Sequence, residues 1–305
     1  MHQSVRVSLR SRAAAYVALT KPRIIELLLV TTVPTMVVAE QGLPPLGLVV
    51  ATVLGGTLAA GGANAINMYI DRDIDRLMKR TQRRPLVTGV ISARGALIFA
   101  IALEVVAFLE LWLLVNLLSA VLAVTATLFY VFVYTMWLKR TSRQNIVIGG
   151  AAGAVPVLVG WSAVTGSLGW APVVLFAVIF YWTPPHFWAL AIRYRDDYSA
   201  ASVPMLPSVV SLRTTAIRIL IYTVLLWALT IVFAPVAGMG NLYVGAALAL
   251  GAVFTALSIQ LIRTSTSQNA APAEKAAMRV FGWSITYITL LFGAMALDQL
   301  VRSGV

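Results

Sequence analysis

Nine apolar stretches divide the chain, each close to the ~20 residues that a helix needs to cross a hydrocarbon core. They run roughly over 24–41, 46–68, 94–113, 116–137, 146–164, 171–191, 214–235, 241–262 and 280–299. The connections between them alternate in character. After the first, third, fifth and seventh stretches they are short and carry no Lys or Arg: "EQGLP", "NLLS", "TGSLGWA" and "PVAGMGN". After the second, fourth, sixth and eighth they are longer and basic. The pattern predicts an all-α polytopic membrane protein, a nine-transmembrane-helix bundle forming one membrane-embedded domain over 1–305, with residues 1–20 as an N-terminal tail.

Charge orients the bundle. With this threading, 22 of the 23 Lys and Arg residues fall on one side, leaving only Arg302 on the other. The positive-inside rule then puts the N-terminus and the four long loops in the cytoplasm and the C-terminus outside. Composition agrees, being 60% hydrophobic and only 11% charged, where soluble domains run near ~25% charged. The net charge of +12 therefore belongs to membrane orientation and not to nucleic-acid binding. Arg6, Arg10 and Arg12 faintly resemble a transit peptide. So few residues precede the first apolar run, however, that a bacterial plasma membrane is the expected location. There is no cysteine, which excludes disulfides, Fe–S clusters and Cys-ligated zinc. The two histidines, His2 and His186, argue against a multi-His metal site.

Two of the basic loops are also acidic. One follows the second helix and carries Asp71, Asp73 and Asp75. The other follows the sixth and carries Asp196 and Asp197. Their separation by four helices hints at a duplicated four-helix unit plus one helix. Asn67, Asp71 and Asp75 are spaced i, i+4, i+8, so on a helix all three project from one face while Asp73 points away. A solvated helix end, with pairs such as Asp75–Lys79, is the bland alternative. Against it, three acids at a helix C-terminus oppose the macrodipole and need a favourable partner. Carboxylates plus an amide oxygen are the hard ligands Mg²⁺ prefers, and Mg²⁺ usually completes its shell with substrate phosphate oxygens. Lys79, Arg80, Arg83, Arg84, Lys139 and Arg140 stand close by in the same loops and suit a phosphate. The combination reads as a Mg²⁺–diphosphate site at the membrane face, with an aliphatic substrate tail among the helices.

The motif of Asn67, Asp71 and Asp75, followed by "KRTxxRPL" (Lys79 to Leu86), resembles the UbiA-type intramembrane prenyltransferase superfamily. Within it, "WTPPHFWALAIRYRDDYSAASVPMLP" (182–207), "LTKPRIIELLLVTTVPTM" (19–36) and "NIVIGGAAGAVPVLVGW" (145–161) are similar to the protoheme IX farnesyltransferase branch. The resemblance implies transfer of farnesyl from farnesyl diphosphate to a vinyl group of heme B, with water addition. It implies two Mg²⁺ ions, one near Asn67, Asp71 and Asp75, the other near Asp196 or Asp197. Arg80, Arg84, Lys139 and Arg140 would hold the diphosphate, and a downstream heme-modifying enzyme is a candidate partner. The second acidic run departs from the superfamily's usual DxxxD, because adjacent carboxylates diverge by ~100° on a helix. Rival readings are a prenyltransferase acting on a quinone precursor or other lipid acceptor, and a secondary transporter, whose acids would lie near mid-membrane.

Several buried-polar candidates remain. His186 follows Pro184-Pro185, expected to kink the sixth helix, and is a heme contact or a structural residue. Glu26, Glu104 and Glu110 fall in apolar runs, so each is expected to face protein. Glu26 is a candidate site residue. The glycines of "LGGTLAAGGANA" (54–65) and "GGAAGA" (149–154) are read as helix-packing positions. Trp137, Trp161, Trp170 and Trp182 are read as an interfacial belt.

Overall fold

The computed structural model describes residues 9–266 and 270–304, with the side chains of residue 9 and of 23–29 outside that description. Glu26, singled out above, therefore lies outside the described side chains. Among the described residues every regular element is helical. A short helix α1 (Leu9–Thr20) precedes nine long ones: α2 (Pro22–Glu40), α3 (Leu46–Ile70), α4 (Ala93–Leu114), α5 (Leu117–Thr141), α6 (Asn145–Thr165), α7 (Trp170–Arg193), α8 (Leu212–Ala237), α9 (Asn241–Thr264) and α10 (Ala271–Ser303). Eight of these, α3 to α10, are long and apolar enough to cross a membrane, and α2 contributes the apolar segment Val30–Glu40. The chain is a multi-pass membrane protein. Large exposed side chains such as Ile98, Val105, Leu113, Ile221 and Leu225 cover its outer faces, as a lipid-facing surface requires.

Within the N-terminal tail, residues 9–20 form α1, which docks on α3 through Asn64 Nδ2 donating to the Thr20 carbonyl (3.1 Å). One expectation about element limits is corrected. The last span is not confined to 280–299. Ala273, Ala276 and Ala277 are buried, and the alanine-rich segment that precedes the span extends it to α10 at 33 residues.

Packing follows the small residues. Gly55 and Gly62 on α3 make room for Glu110 and Glu104 of α4: a β-carbon at Gly62 would sit 2.6 Å from Glu104 Oε1. Glu104 also accepts from Thr127 Oγ1 at 3.2 Å. Both glutamates thus face protein, as their cost in lipid demands. Gly149 of α6 lies under the Tyr134 ring, which leaves no room for a β-carbon. The core is richest between α7, α8, α9 and α10, where Trp188, Phe233, Tyr243, Phe254, Tyr287 and Phe292 are fully buried. Trp137 and Trp170 are largely exposed at helix ends, as a belt predicts. Trp161 and Trp182 depart from the belt: Trp161 packs against the core, and Trp182 is buried and donates from Nε1 to the Ser284 carbonyl at 2.8 Å, so it joins α7 to α10 instead of anchoring an interface.

The ends of α3, α5 and α7 and the start of α10 meet at one face of the bundle, where Arg140 pairs with Asp73, the Arg80 amide meets Asp197 and Arg193 pairs with Glu274. That face carries both acidic runs. At the other face, Asp298 of α10 caps α9, accepting from the Gly240 and Tyr243 amides at 2.6 and 3.2 Å.

Candidate active site

α3 stops at Ile70, yet the helical register continues through its end. The Asp71 amide donates to the Asn67 carbonyl and the Asp75 amide to the Asp71 carbonyl, both at 2.9 Å. The short helix Arg72–Asp75 follows. The i, i+4, i+8 spacing therefore holds, and Asn67, Asp71 and Asp75 are all buried on one face, at 3%, 0% and 2% exposure. Asp73 points outward, 60% exposed, and takes both Arg140 guanidinium nitrogens at 2.7 Å. That guanidinium pulls the Asp73 carboxyl down to about 2.

Each buried carboxylate faces a cation. Lys139 donates to Asp71 Oδ2, and Arg84 donates to Asp75 Oδ2 at 2.6 Å. Arg140 Nη2 lies 3.7 Å from Asp71 Oδ1, an oxygen that is buried and accepts no hydrogen bond. The solvated-helix alternative, which would pair Asp75 with Lys79 one turn on, is not what forms; the chain turns instead, and Thr81, buried, donates its hydroxyl to the Asp75 carbonyl at 2.9 Å. Turns at Met78–Thr81 and Thr81–Arg84 then bring Arg84 back over the site. Met78 and Leu86, both buried, pin this loop to the bundle. Lys79 and Arg83 stay exposed.

Lys139 reaches Asp71 because α5 changes pitch. Phe129–Leu138 form a π-helical segment, in which Thr135 Oγ1 donates five residues back to the Tyr130 carbonyl. The wider turn faces Thr135 to Asn67, whose Nδ2 donates to Thr135 Oγ1 at 3.1 Å and to Asp71 Oδ2 at 2.8 Å. Such segments recur at functional sites and leave no mark in an apolar sequence pattern.

The second acidic run meets the first through the intervening loop. Asp197 Oδ2 accepts from the Arg80 amide at 3.1 Å, and the Arg80 guanidinium lies 5.6 Å from the Tyr194 ring centroid. Asp196 turns to solvent, 95% exposed, beside Arg195. The two clusters thus share one face and one connecting loop. Sequence reasoning missed one participant. Lys21, between α1 and α2, donates from Nζ to Asn67 Oδ1 at 2.9 Å. Burial, with Arg84 and Lys139 close by, pulls its ammonium down to about 7.

His186 lies apart from these groups, buried in α7, which continues through Pro184 and Pro185 as one helix. Its ring stacks on Trp182 (centroids 4.4 Å) and Phe281 (4.7 Å), and Nδ1 is 2.7 Å from Ser284 Oγ. That hydroxyl also lies 2.6 Å from the Phe281 carbonyl, to which it can donate while accepting from Nδ1–H.

The donor set fits a hard divalent cation. Asn67, Asp71 and Asp75 supply oxygens, and Asp71 Oδ1 is a buried acceptor without a hydrogen bond. Among the described residues no three acidic or imidazole groups converge tightly enough to hold an ion unaided. Phosphate oxygens from a ligand would have to complete the shell, which is how Mg²⁺ is ordinarily held.

Comparison with known proteins adds to this geometry. Residues 28–285 match the model of the UbiA prenyltransferase family. The chain is 55% identical over 291 residues to a protoheme IX farnesyltransferase of Parafrankia sp. (strain EAN1pec), covering 95% of this chain and 91% of that protein. Its fold is similar to a digeranylgeranylglyceryl phosphate synthase (TM-score 0.75, 17% identity, 95% and 99% of the two chains). It is also similar to a UbiA homolog from Archaeoglobus fulgidus bound to GPP and Mg²⁺ (TM-score 0.60, 15% identity, 92% and 99%).

Proposed function

This chain belongs to the UbiA prenyltransferase family, and on that premise we propose that it transfers farnesyl from farnesyl diphosphate to a vinyl group of heme B, giving heme O. The observation that carries the reading is the buried Asn67–Asp71–Asp75 face, with Lys139 and Arg84 seated on its carboxylates and Asp197 joined to it through Arg80. Carboxylates and cations interleaved at one mouth of a lipid-embedded bundle suit a metal-bound diphosphate on an isoprenoid tail. They do not suit a transporter, whose acids would lie at mid-membrane. The 55% identical relative, a protoheme IX farnesyltransferase, supports heme as the acceptor.

In this reading Asn67, Asp71, Asp75 and Asp197 hold Mg²⁺. When bound, the ion supplies neutralisation of the charge that builds on the leaving diphosphate. Arg84, Lys139 and Arg140, with Arg80, grip the phosphate oxygens and stabilise that same charge in a site where water is scarce. The C1–O bond of the farnesyl group breaks and its electron pair leaves with diphosphate. The vinyl π electrons form the new C–C bond. Water adds to the cation left beside the porphyrin ring and loses a proton, so one water is consumed for each heme O formed. Following the positive-inside rule, the mouth faces the cytoplasm of a bacterial plasma membrane.

The test is mass spectrometry of hemes and quinones extracted after incubating the purified protein with heme B, a quinone precursor, Mg²⁺ and farnesyl diphosphate. Heme O, with release of one diphosphate per heme O, is the expected result; unaltered heme B alongside a prenylated quinone precursor would replace this acceptor.

On the acceptor side, His186 would meet heme iron through Nε2, with Nδ1 held 2.7 Å from Ser284 Oγ. His186→Ala should remove the Soret shift of heme B added to the protein while leaving Mg²⁺-dependent pyrophosphate binding intact. An unchanged Soret band would assign His186 to structure.

A further inference from the structure

The geometry points to Lys21 as an additional binding residue for the diphosphate, delivered to the site by the α1–α2 junction and resting on Asn67 until the substrate arrives. This rests on the reading above and extends its residue set to a part of the chain outside both acidic loops and outside the basic loops that follow them.

The first ground is charge. Three cations, Lys21, Arg84 and Lys139, surround two buried carboxylates, Asp71 and Asp75. Arg140 is committed mainly to Asp73. Arg84 and Lys139 each have a carboxylate. Lys21 has an amide: its hydrogen bond goes to Asn67 Oδ1, a neutral acceptor. Among the described residues Lys21 is thus the one of the three with no carboxylate in hydrogen-bond reach, and an anion at this mouth would supply it with a charged partner.

The second ground is the backbone that carries it. Lys21 sits at φ 52°, ψ 64°, a left-handed conformation that a residue with a β-carbon adopts only when its surroundings impose it. Such outliers persist where function or packing over-determines them. Here the imposing contacts are visible. α1 ends at Thr20, whose carbonyl is held by Asn64 Nδ2 at 3.1 Å and whose side chain lies against Gly61, where a β-carbon would approach to 3.2 Å. Pro22 then starts α2 at its first helical position. The junction is therefore fixed against the last turns of α3, the same turns that carry Asn67. An ammonium on a flexible four-carbon stem stands on a rigid base beside the site.

The third ground is the atom it occupies. Asn67 Oδ1 is among the oxygens proposed to hold the metal. Lys21 and a metal cannot both use the same lone pair at full strength. Loading the site turns the ammonium toward the phosphates, and an ammonium offers three protons to such oxygens. Lys21 is then a binding residue for the donor substrate and not for the acceptor.

The experiment uses the full chain in nanodiscs and measures binding of inorganic pyrophosphate in the presence of Mg²⁺. Lys21→Met should weaken that binding by roughly 10- to 100-fold, the worth of a charge-assisted hydrogen bond. Lys21→Arg should restore it to within a few-fold, and heme B binding should be the same in all three proteins. A structural role would instead lower heme and pyrophosphate binding together and would not be rescued by arginine. Because Lys21→Met could fail to fold, the wild-type protein supplies an independent measurement: acetylation of the Lys21 amine, followed by mass spectrometry, should be suppressed by Mg²⁺ with pyrophosphate and not by pyrophosphate alone. Undiminished pyrophosphate binding by Lys21→Met, or full acetylation in the loaded wild type, overturns the role of Lys21 and leaves the prenyltransferase reading standing. If the wild type itself does not bind Mg²⁺-pyrophosphate, both fall together.

Discussion

Asp71→Ala is expected to lower prenyl transfer by about 10³-fold or more, since it removes the central hard ligand and the anchor of Lys139 in one step. Sequence alone suggests that folding would be untouched, because a metal ligand at a loop mouth carries no packing. The structure changes that expectation. Asp71 is fully buried and holds Lys139, itself only 14% exposed, with Arg140 close behind. Removing the carboxylate leaves an under-compensated cation, at a cost of about 1–3 kcal/mol of stability. Loss of activity and loss of stability must therefore be separated. The double variant Asp71→Ala/Lys139→Met removes both charges and should recover most of the thermal stability in nanodiscs, while prenyl transfer stays at or below the Asp71→Ala level. If the double variant regained activity along with stability, Asp71 would be a structural counter-ion and the metal assignment would be wrong.

How much of this was readable beforehand depends on distance along the chain. The spans were legible because hydrocarbon thickness sets their length, and most limits fall within a few residues of the helices observed. The exception, α10, starts nine residues early because Glu274, Lys275 and Arg279 break the apolar pattern without breaking the helix. The Asn67–Asp71–Asp75 face was legible because its geometry is local, three residues on one helix register. What the cations do was not. Arg84 meets Asp75 only because Thr81 turns the loop, and Lys139 meets Asp71 only through the π segment of α5. Lys21 is 46 residues from its partner, and a lysine ahead of a first span reads simply as a positive-inside anchor. Its one local signal is the following proline, which stops a helix and forces a junction there.

Asp197 and Asp196 provide the sharpest contrast, because the two are adjacent in sequence and opposite in setting. Asp197→Ala is expected to lower kcat/KM for farnesyl diphosphate by about 10²-fold, and Asp196→Ala to stay within about threefold of wild type. The reason lies in how the segment after α7 is held. Tyr198, Val203, Met205 and Leu206 are buried. The Val203 amide donates to the Tyr198 carbonyl at 2.9 Å, and Ser202 takes the left-handed turn, φ 52°, that lets the chain fold back. With Tyr198 anchored in the core, Asp197 faces the Arg80 loop, where its Oδ2 meets the Arg80 amide at 3.1 Å. Asp196, ~100° round the same short helix, meets only solvent and its neighbour Arg195. The carboxylate of Asp197 thus ties the loop bearing Arg80 and Arg84 to the end of α7. Losing it should loosen the diphosphate grip as well as remove a ligand. Asp197→Asn keeps an acceptor for the Arg80 amide while removing the charge. It should keep KM for farnesyl diphosphate near wild type while kcat stays low, which separates loop positioning from charge. Equal losses at Asp196 and Asp197 would mean that the run does not present a single carboxylate to the site, and the pairing of the two acidic clusters through Arg80 would lose its chemical meaning.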